Sequence, residues 1–171
     1  MHASLAQLKA DLESSAGGMS AEQLRRHLPG KWCAGEVLEH LYLTYTGTIR
    51  GLEKVLAEGT PLATRASLKQ RLATLVVVGF GHMPAGRKTP SVAQPRGLSE
   101  EQVRSQIGGA IETMEALLAR CEERFGRVKL LDHPILGPLS ARQWRKFHCV
   151  HGRHHHKQLA GLSAPPARAT T

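Results

Sequence analysis

Apolar side chains return every three or four positions along most of the chain, the spacing that gathers them on one face of an α-helix. Leu5, Leu8 and Leu12 mark a first helix over about 5–13, stopped by Gly17-Gly18. Ser20 opens a short second helix, with Gln23 three residues on to complete a capping box and Pro29-Gly30 to end it. From about Cys33 to Glu58 the series Val37, Leu41, Thr44, Thr48, Leu52, Val55 predicts a long amphipathic helix, its stripe widened by Leu38, Tyr45, Ile49 and Leu56. A shorter helical piece covers about 65–78, and the Pro- and Gly-rich run beyond Gly81 reads as a long crossover loop or a lid. The clearest helix runs from Ser99 to Phe125, with Val103, Ile107, Ile111, Met114 and Leu118 on one face and Gly126 as its stop. After HPILGPLS, read as a loop, a last helix begins near Ser140, carries Trp144 and Phe147 on one face and fades by Leu162.

No segment shows the sustained alternation of a half-buried strand, so β structure is not needed. The predicted fold is all-α, a four-helix bundle with a long crossover connection. One domain is expected over residues 1–162, followed by a disordered tail over 163–171.

Composition narrows the classes of function. A chain of 171 residues can bury one core without covalent staples. Its three cysteines, Cys33, Cys121 and Cys149, are odd in number, far apart and free of CxxC spacing, which favours a reducing compartment over a disulfide framework or a zinc ribbon. No stretch approaches 18 uninterrupted apolar residues, so no membrane span is expected, and the acidic N-terminal segment lacks the apolar core of a signal peptide. The expected location is cytoplasmic. A net charge of +9 raises nucleic acid as a partner. The basic residues are scattered in runs of no more than two, however, and aromatics make up only 4%, so few platforms exist for base stacking and nucleic acid is not the expected partner.

Candidate chemistry concentrates in FHCVHGRHHHKQL, Phe147 to Leu159, where five of the ten histidines fall within nine residues. On a helix, Trp144, Phe147, His151, His155, Gln158 and Leu162 share one face, so His151 and His155 project from successive turns and can reach one metal ion. His154 lies on the flank and His156 points away. A third ligand is needed, and His40, on the flank of the stripe in the long helix, is the candidate. By itself His40 reads as a surface or hydrogen-bonded histidine, and the run as a solvated face.

These residues also carry a resemblance. Trp32 followed by Glu36-Val37-Leu38-Glu39-His40-Leu41 looks like the W-S-x-x-E-x-x-x-H-L signature of the DinB superfamily, metal-binding four-helix proteins that include thiol-dependent transferases. His151, His154, His155 and Gln158 resemble its terminal H-x-x-H-H-x-x-Q pattern. His133-Pro134-Ile135-Leu136-Gly137-Pro138-Leu139-Ser140 with Trp144 is similar to an uncharacterised DinB-like subgroup. Lys157 stands where the common form has Gly. Cys33 stands where it has Ser, which removes a hydroxyl N-cap. The resemblance implies His40, His151 and His155 as the metal ligands.

Three neutral imidazoles leave open positions on Zn²⁺ or Ni²⁺, as catalytic sites do. An ion so held lowers the pKa of a water or thiol that joins it, which makes hydrolysis and thiol transfer both accessible. The expected function is a metal-dependent hydrolase or a transferase using a low-molecular-weight thiol, acting on a small-molecule substrate. The alternatives are a non-catalytic metal-binding or stress-response protein and, further off, a basic nucleic-acid accessory protein. Glu36, one turn before His40, is a candidate base, although an acid there also suits the positive end of the helix dipole. Gln158, Tyr42 and Tyr45 are candidate pocket residues, the tyrosines as packing with wet hydroxyls. Trp32 and Trp144 read as anchors closing the ends of the pocket. Cys149 points away from His151 and is not expected to act as a nucleophile. A homodimer is compatible with exposed apolar helix faces.

Overall fold

Three of the helices begin where a serine hydroxyl satisfies an orphan backbone N–H. Ser20, Ser67 and Ser99 accept from the N–H of Gln23, Gln70 and Gln102, and the side chains of Gln23 and Gln70 return the bond to the serine N–H at 2.8 and 2.9 Å. The computed structural model describes residues 1–84, 86 and 88–163. Its helices are α1 (Ala3–Gly17), α2 (Ala21–Arg25), α3 (Ala34–Glu58), α4 (Leu68–Thr74), α5 (Glu100–Phe125) and α6 (Ala141–Ser163). The last turn of α4 widens into a π-helical turn over Leu75–Gly79, and a single 3₁₀ turn, Ser91–Ala93, interrupts the long crossover. The protein is mostly helical, as the periodicity predicts. The final helix runs to Ser163, one residue into the expected tail; the rest of that tail lies outside the described residues.

One expectation fails. HPILGPLS is not a loop but the heart of a small antiparallel hairpin, with β1 (Leu131–His133) paired to β2 (Gly137–Leu139) in the register Leu131↔Leu139 and His133↔Gly137. Strands of three residues are too short for alternation to register, and two prolines and a glycine disguise them further. Gly137, at φ 70°, supplies the left-handed backbone the turn requires.

Helices α1, α3, α5 and α6 enclose the core: α3 packs on α5 and α6, and α1 packs on α5 and α6. Leu8, Leu12, Leu38, Leu41, Leu52, Ile107, Ile111 and Leu118 are fully buried between them, each contributing about 1.5–3 kcal/mol through removal from water. At Gly152, α6 meets α1 closely enough that a Cβ would lie 2.4 Å from Leu8 Cδ2. Arg145, on the outward flank of α6, bridges Glu115 and Glu122 of α5 at 2.8 and 2.7 Å. With α1, α5 and these ion pairs behind it, α6 turns its opposite face to α3. That face carries the histidines.

Candidate metal centre

On α6, His151 and His155 stand one turn apart; on α3, His40 emerges from the second turn and faces them. His151 Nε2 lies 3.0 Å from His40 Nε2 and 3.0 Å from His155 Nε2, and all three residues are buried. The expected ligands are therefore brought together, with His40 well inside the protein and not on a wet flank.

Outer partners fix the ring orientation. His40 Nδ1 donates to the Ala93 carbonyl at 2.7 Å, and His155 Nδ1 donates to Gln158 Oε1 at 2.8 Å. Both acceptors lack hydrogens, so each proton sits on Nδ1 and each Nε2 presents a bare lone pair to the centre. A neutral His151 has a single N–H and can satisfy only one of its two 3.0 Å contacts. The other would set lone pair against lone pair, a cost that a shared cation removes. Burial holds the three rings neutral: it is the main cause that pushes His40 below its ordinary range, His151 well below, and His155 to about 3, with the neighbouring imidazoles adding to the last two. Neutral imidazoles with Nδ1 anchored and Nε2 convergent are a donor set that fits a divalent metal ion.

The crossover supplies part of this order. Glu39, adjacent to His40 and 3% exposed, accepts from the backbone N–H of Arg96 at 2.6 Å and of Gly97 at 3.1 Å. It thereby ties the segment that carries Ala93 to the start of α3. Sequence reading assigned Glu39 no role, and its position opposite the apolar stripe of α3 gave no signal, because the crossover is what buries it.

The aromatic walls only partly follow expectation. Trp32 packs on His40, ring centroids 5.2 Å apart, and Phe147 stacks on His151 at 5.2 Å and 13°. Trp144 reaches the triad only through Phe147 and His148. His148 is fully buried, 3.1 Å from the Thr48 hydroxyl and beside Tyr45. Sequence reading assigned His148 no role, although its spacing from Trp144 and His151, four and three residues, was the available signal. Tyr45 corrects the reading of a wet hydroxyl: it is 0% exposed, its hydroxyl has no partner among the described residues, and burial pushes its pKa up. Tyr42 lies outside the site and donates to Gln106 at 2.6 Å.

Glu36 does not join the triad. Its carboxylate accepts from the Cys33 backbone N–H at 2.8 Å and lies 3.6 Å from His27 Nδ1, so it stabilises the start of α3 and offsets the missing hydroxyl cap. Cys149 faces α1, 3.1 Å from Ser4 Oγ, and its thiol is pushed up by burial. His133, on β1, accepts from the N–H groups of Ile135 and Leu136 at 3.1 Å each through Nδ1, which fixes its proton on Nε2. Burial lowers its pKa to about 4.

The triad opens on a cavity of about 1,490 Å³ between α3, α6, the hairpin, the π-helical turn and the crossover. A family model described as "Protein of unknown function (DUF1569)" matches residues 11–161, a span that includes every residue of the centre. The chain belongs to this family. No curated protein and no solved structure matches this DUF1569 chain. Among its described residues no helix is long and apolar enough to cross a membrane.

Proposed function

We propose that this chain is a metal-dependent enzyme with a DinB-type four-helix bundle, in which His40, His151 and His155 hold a divalent cation, Zn²⁺ or Ni²⁺. The observation that carries the reading is the convergence of three buried Nε2 atoms, two of which have their Nδ1 protons committed elsewhere. A cation there supplies Lewis acidity to whatever ligand enters from the cavity. Trp32 covers His40 and Phe147 covers His151, while Ala93 and Gln158 keep the rings of His40 and His155 from turning.

The surrounding residues favour transfer over hydrolysis. Among the described residues lining the cavity, Asp132 is the sole carboxylate, and it accepts from the N–H and hydroxyl of Thr64. A reaction needing a protein carboxylate as base is poorly served, whereas a nucleophile that ionises readily needs none. A low-molecular-weight thiol is such a nucleophile, and we favour it as the co-substrate.

Elemental analysis of tag-free protein tests the reading. The expected result is near one Zn²⁺ or Ni²⁺ per chain after reconstitution, lost in His40→Ala and His155→Ala; less than about 0.1 per chain in the unsubstituted protein rejects the centre. A loaded protein that turns over neither thiol-transfer nor hydrolytic substrates would be a metal-binding protein without an enzymatic role.

A further inference from the structure

The cavity has an apolar interior and a rim of one sign. Val77, Leu136, Ile135, Phe147 and Leu43 face it from four different elements, a lining suited to a hydrocarbon or aromatic body. Among the described residues, the charged ones around it are Lys31, Arg50, Lys69, Lys88, Arg96 and Lys157 against Asp132 alone, whose oxygens Thr64 already occupies. Lys31, Lys69, Lys88 and Lys157 form no ion pair among the described residues. Six cations facing one engaged carboxylate across an apolar space focus a positive potential on whatever enters.

The floor of the cavity adds a second, independent observation. Two glycines stand one turn apart in the middle of α3, where glycine is unfavourable for the helix. Gly51 has a packing reason: a Cβ there would lie 2.7 Å from Leu131 Cδ1. Gly47 has none, because a Cβ there would meet nothing within 4 Å, and the position lines the cavity. The missing side chain leaves room that no protein atom uses. His133, with Nδ1 committed to the hairpin, offers the same cavity an uncharged Nε2–H donor.

We infer that the cavity binds an amphipathic organic anion, a small molecule whose apolar body lies over Gly47 and whose carboxylate or phosphate is selected by the lysine rim. This names the substrate class of the proposed enzyme and rests on that reading for its role, though binding itself is measurable without metal. The apolar wall disfavours a charge on the part of the ligand that lies against Phe147 and Leu136, since desolvating it there has no compensation, and the cationic rim disfavours cations.

The test compares 4-phenylbutyrate, 4-phenylbutanol and 4-phenylbutylamine by calorimetry at low salt. Each is titrated into full-length protein of measured zinc content and into the zinc-free His40→Ala variant. The carboxylate is expected to bind at least about tenfold tighter than the amine in both proteins, with the alcohol between them and the margin shrinking as salt rises. The triple variant Lys31→Gln, Lys69→Gln, Lys88→Gln should lose most of that margin. Gly47→Leu, which fills open space in a helix that prefers leucine to glycine, should lose binding of all three ligands. Equal binding of the three probes, a margin untouched by the lysine substitutions, or unchanged binding by a folded Gly47→Leu protein would each overturn the inference. A carboxylate preference found only with zinc present would overturn it too, by assigning selection to the ion. Absence of zinc from the unsubstituted protein would instead reject the metal centre and leave the zinc-free comparison to decide the ligand class.

Discussion

Glu39→Gln isolates the tie between the crossover and the metal centre. The Glu39 carboxylate is buried and accepts two backbone N–H groups, from Arg96 and Gly97, one on each oxygen. Hydrogen bonds to a charged acceptor are worth about 1.5–3 kcal/mol each. Glutamine keeps the shape and one carbonyl acceptor, but turns an NH₂ toward the other N–H and so leaves two donors facing each other. The net loss should be about 2–3 kcal/mol, within the range for a buried group left unsatisfied. For a domain of this size each kcal/mol moves the melting temperature by about 2–4 °C, so the variant should melt roughly 4–12 °C lower. The Ala93 carbonyl, which receives the His40 proton at 2.7 Å, loses its support at the same time, and zinc affinity should fall about 10–100-fold. Thermal melts followed by circular dichroism, with zinc titrations against a competing chelator, measure both. Glu53→Gln, at an exposed position of the same helix, is the control expected to change neither. If Glu39→Gln melts with the unsubstituted protein and keeps its zinc affinity, the crossover does not depend on this carboxylate and the argument fails.

Other outcomes follow from the same structure. The folded-state pKa of His148, about 3, and of His133, about 4, lie below the ordinary 6.5, so the unfolded chain binds more protons between those values and stability must fall as pH drops from 6.5 towards 3. The slope should approach about 1.4 kcal/mol per pH unit for each residue, read from urea midpoints of metal-free protein, and a flat profile between pH 7 and pH 5 would contradict the neutral burial of both. Gly152→Ala should destabilise by about 1–3 kcal/mol because its Cβ would collide with Leu8, whereas Gly47→Ala should stabilise by about 0.5–1 kcal/mol; denaturant unfolding that reversed this order would refute the packing described at both sites. Stripping the metal with a strong chelator should lower the melting temperature of the native protein and leave that of His155→Ala unmoved, because only a bound ion stabilises the folded state through mass action.

The helices were legible because a 25- or 26-residue amphipathic pattern repeats its signal many times over, and Ser99 and Ser20 marked starts that the structure reproduces within a residue. The pairing of His151 with His155 was equally legible, being a matter of helical pitch. What brings His40 to them is the packing of α3 against α6 across 111 positions of sequence, which no local pattern encodes. The hairpin was missed because three residues per strand give periodicity nothing to repeat. The exposure of Tyr45 was misjudged for a different reason: a phenol can be buried without a partner when His148 and apolar neighbours surround it, and residue type alone does not report that. Glu39 went unread because its partners are backbone amides of a loop whose path the sequence does not fix.

The π-helical turn after α4 stores one residue more than a regular helix would hold. The Leu75 carbonyl is met by the N–H of Phe80, five positions on, where an ordinary turn would close after four. That surplus separates two opposed environments within a dozen residues: Leu68 and Leu72 stand in solvent at 81% and 66% exposure, while Val77 and Val78 are packed inward. Excising Leu75 or Val76 would let the winding regularise, yet would swing everything beyond it by about 100° and carry the two valines out of their packing. Length at this spot is thus a phase setting, and the segment should tolerate substitution far better than deletion.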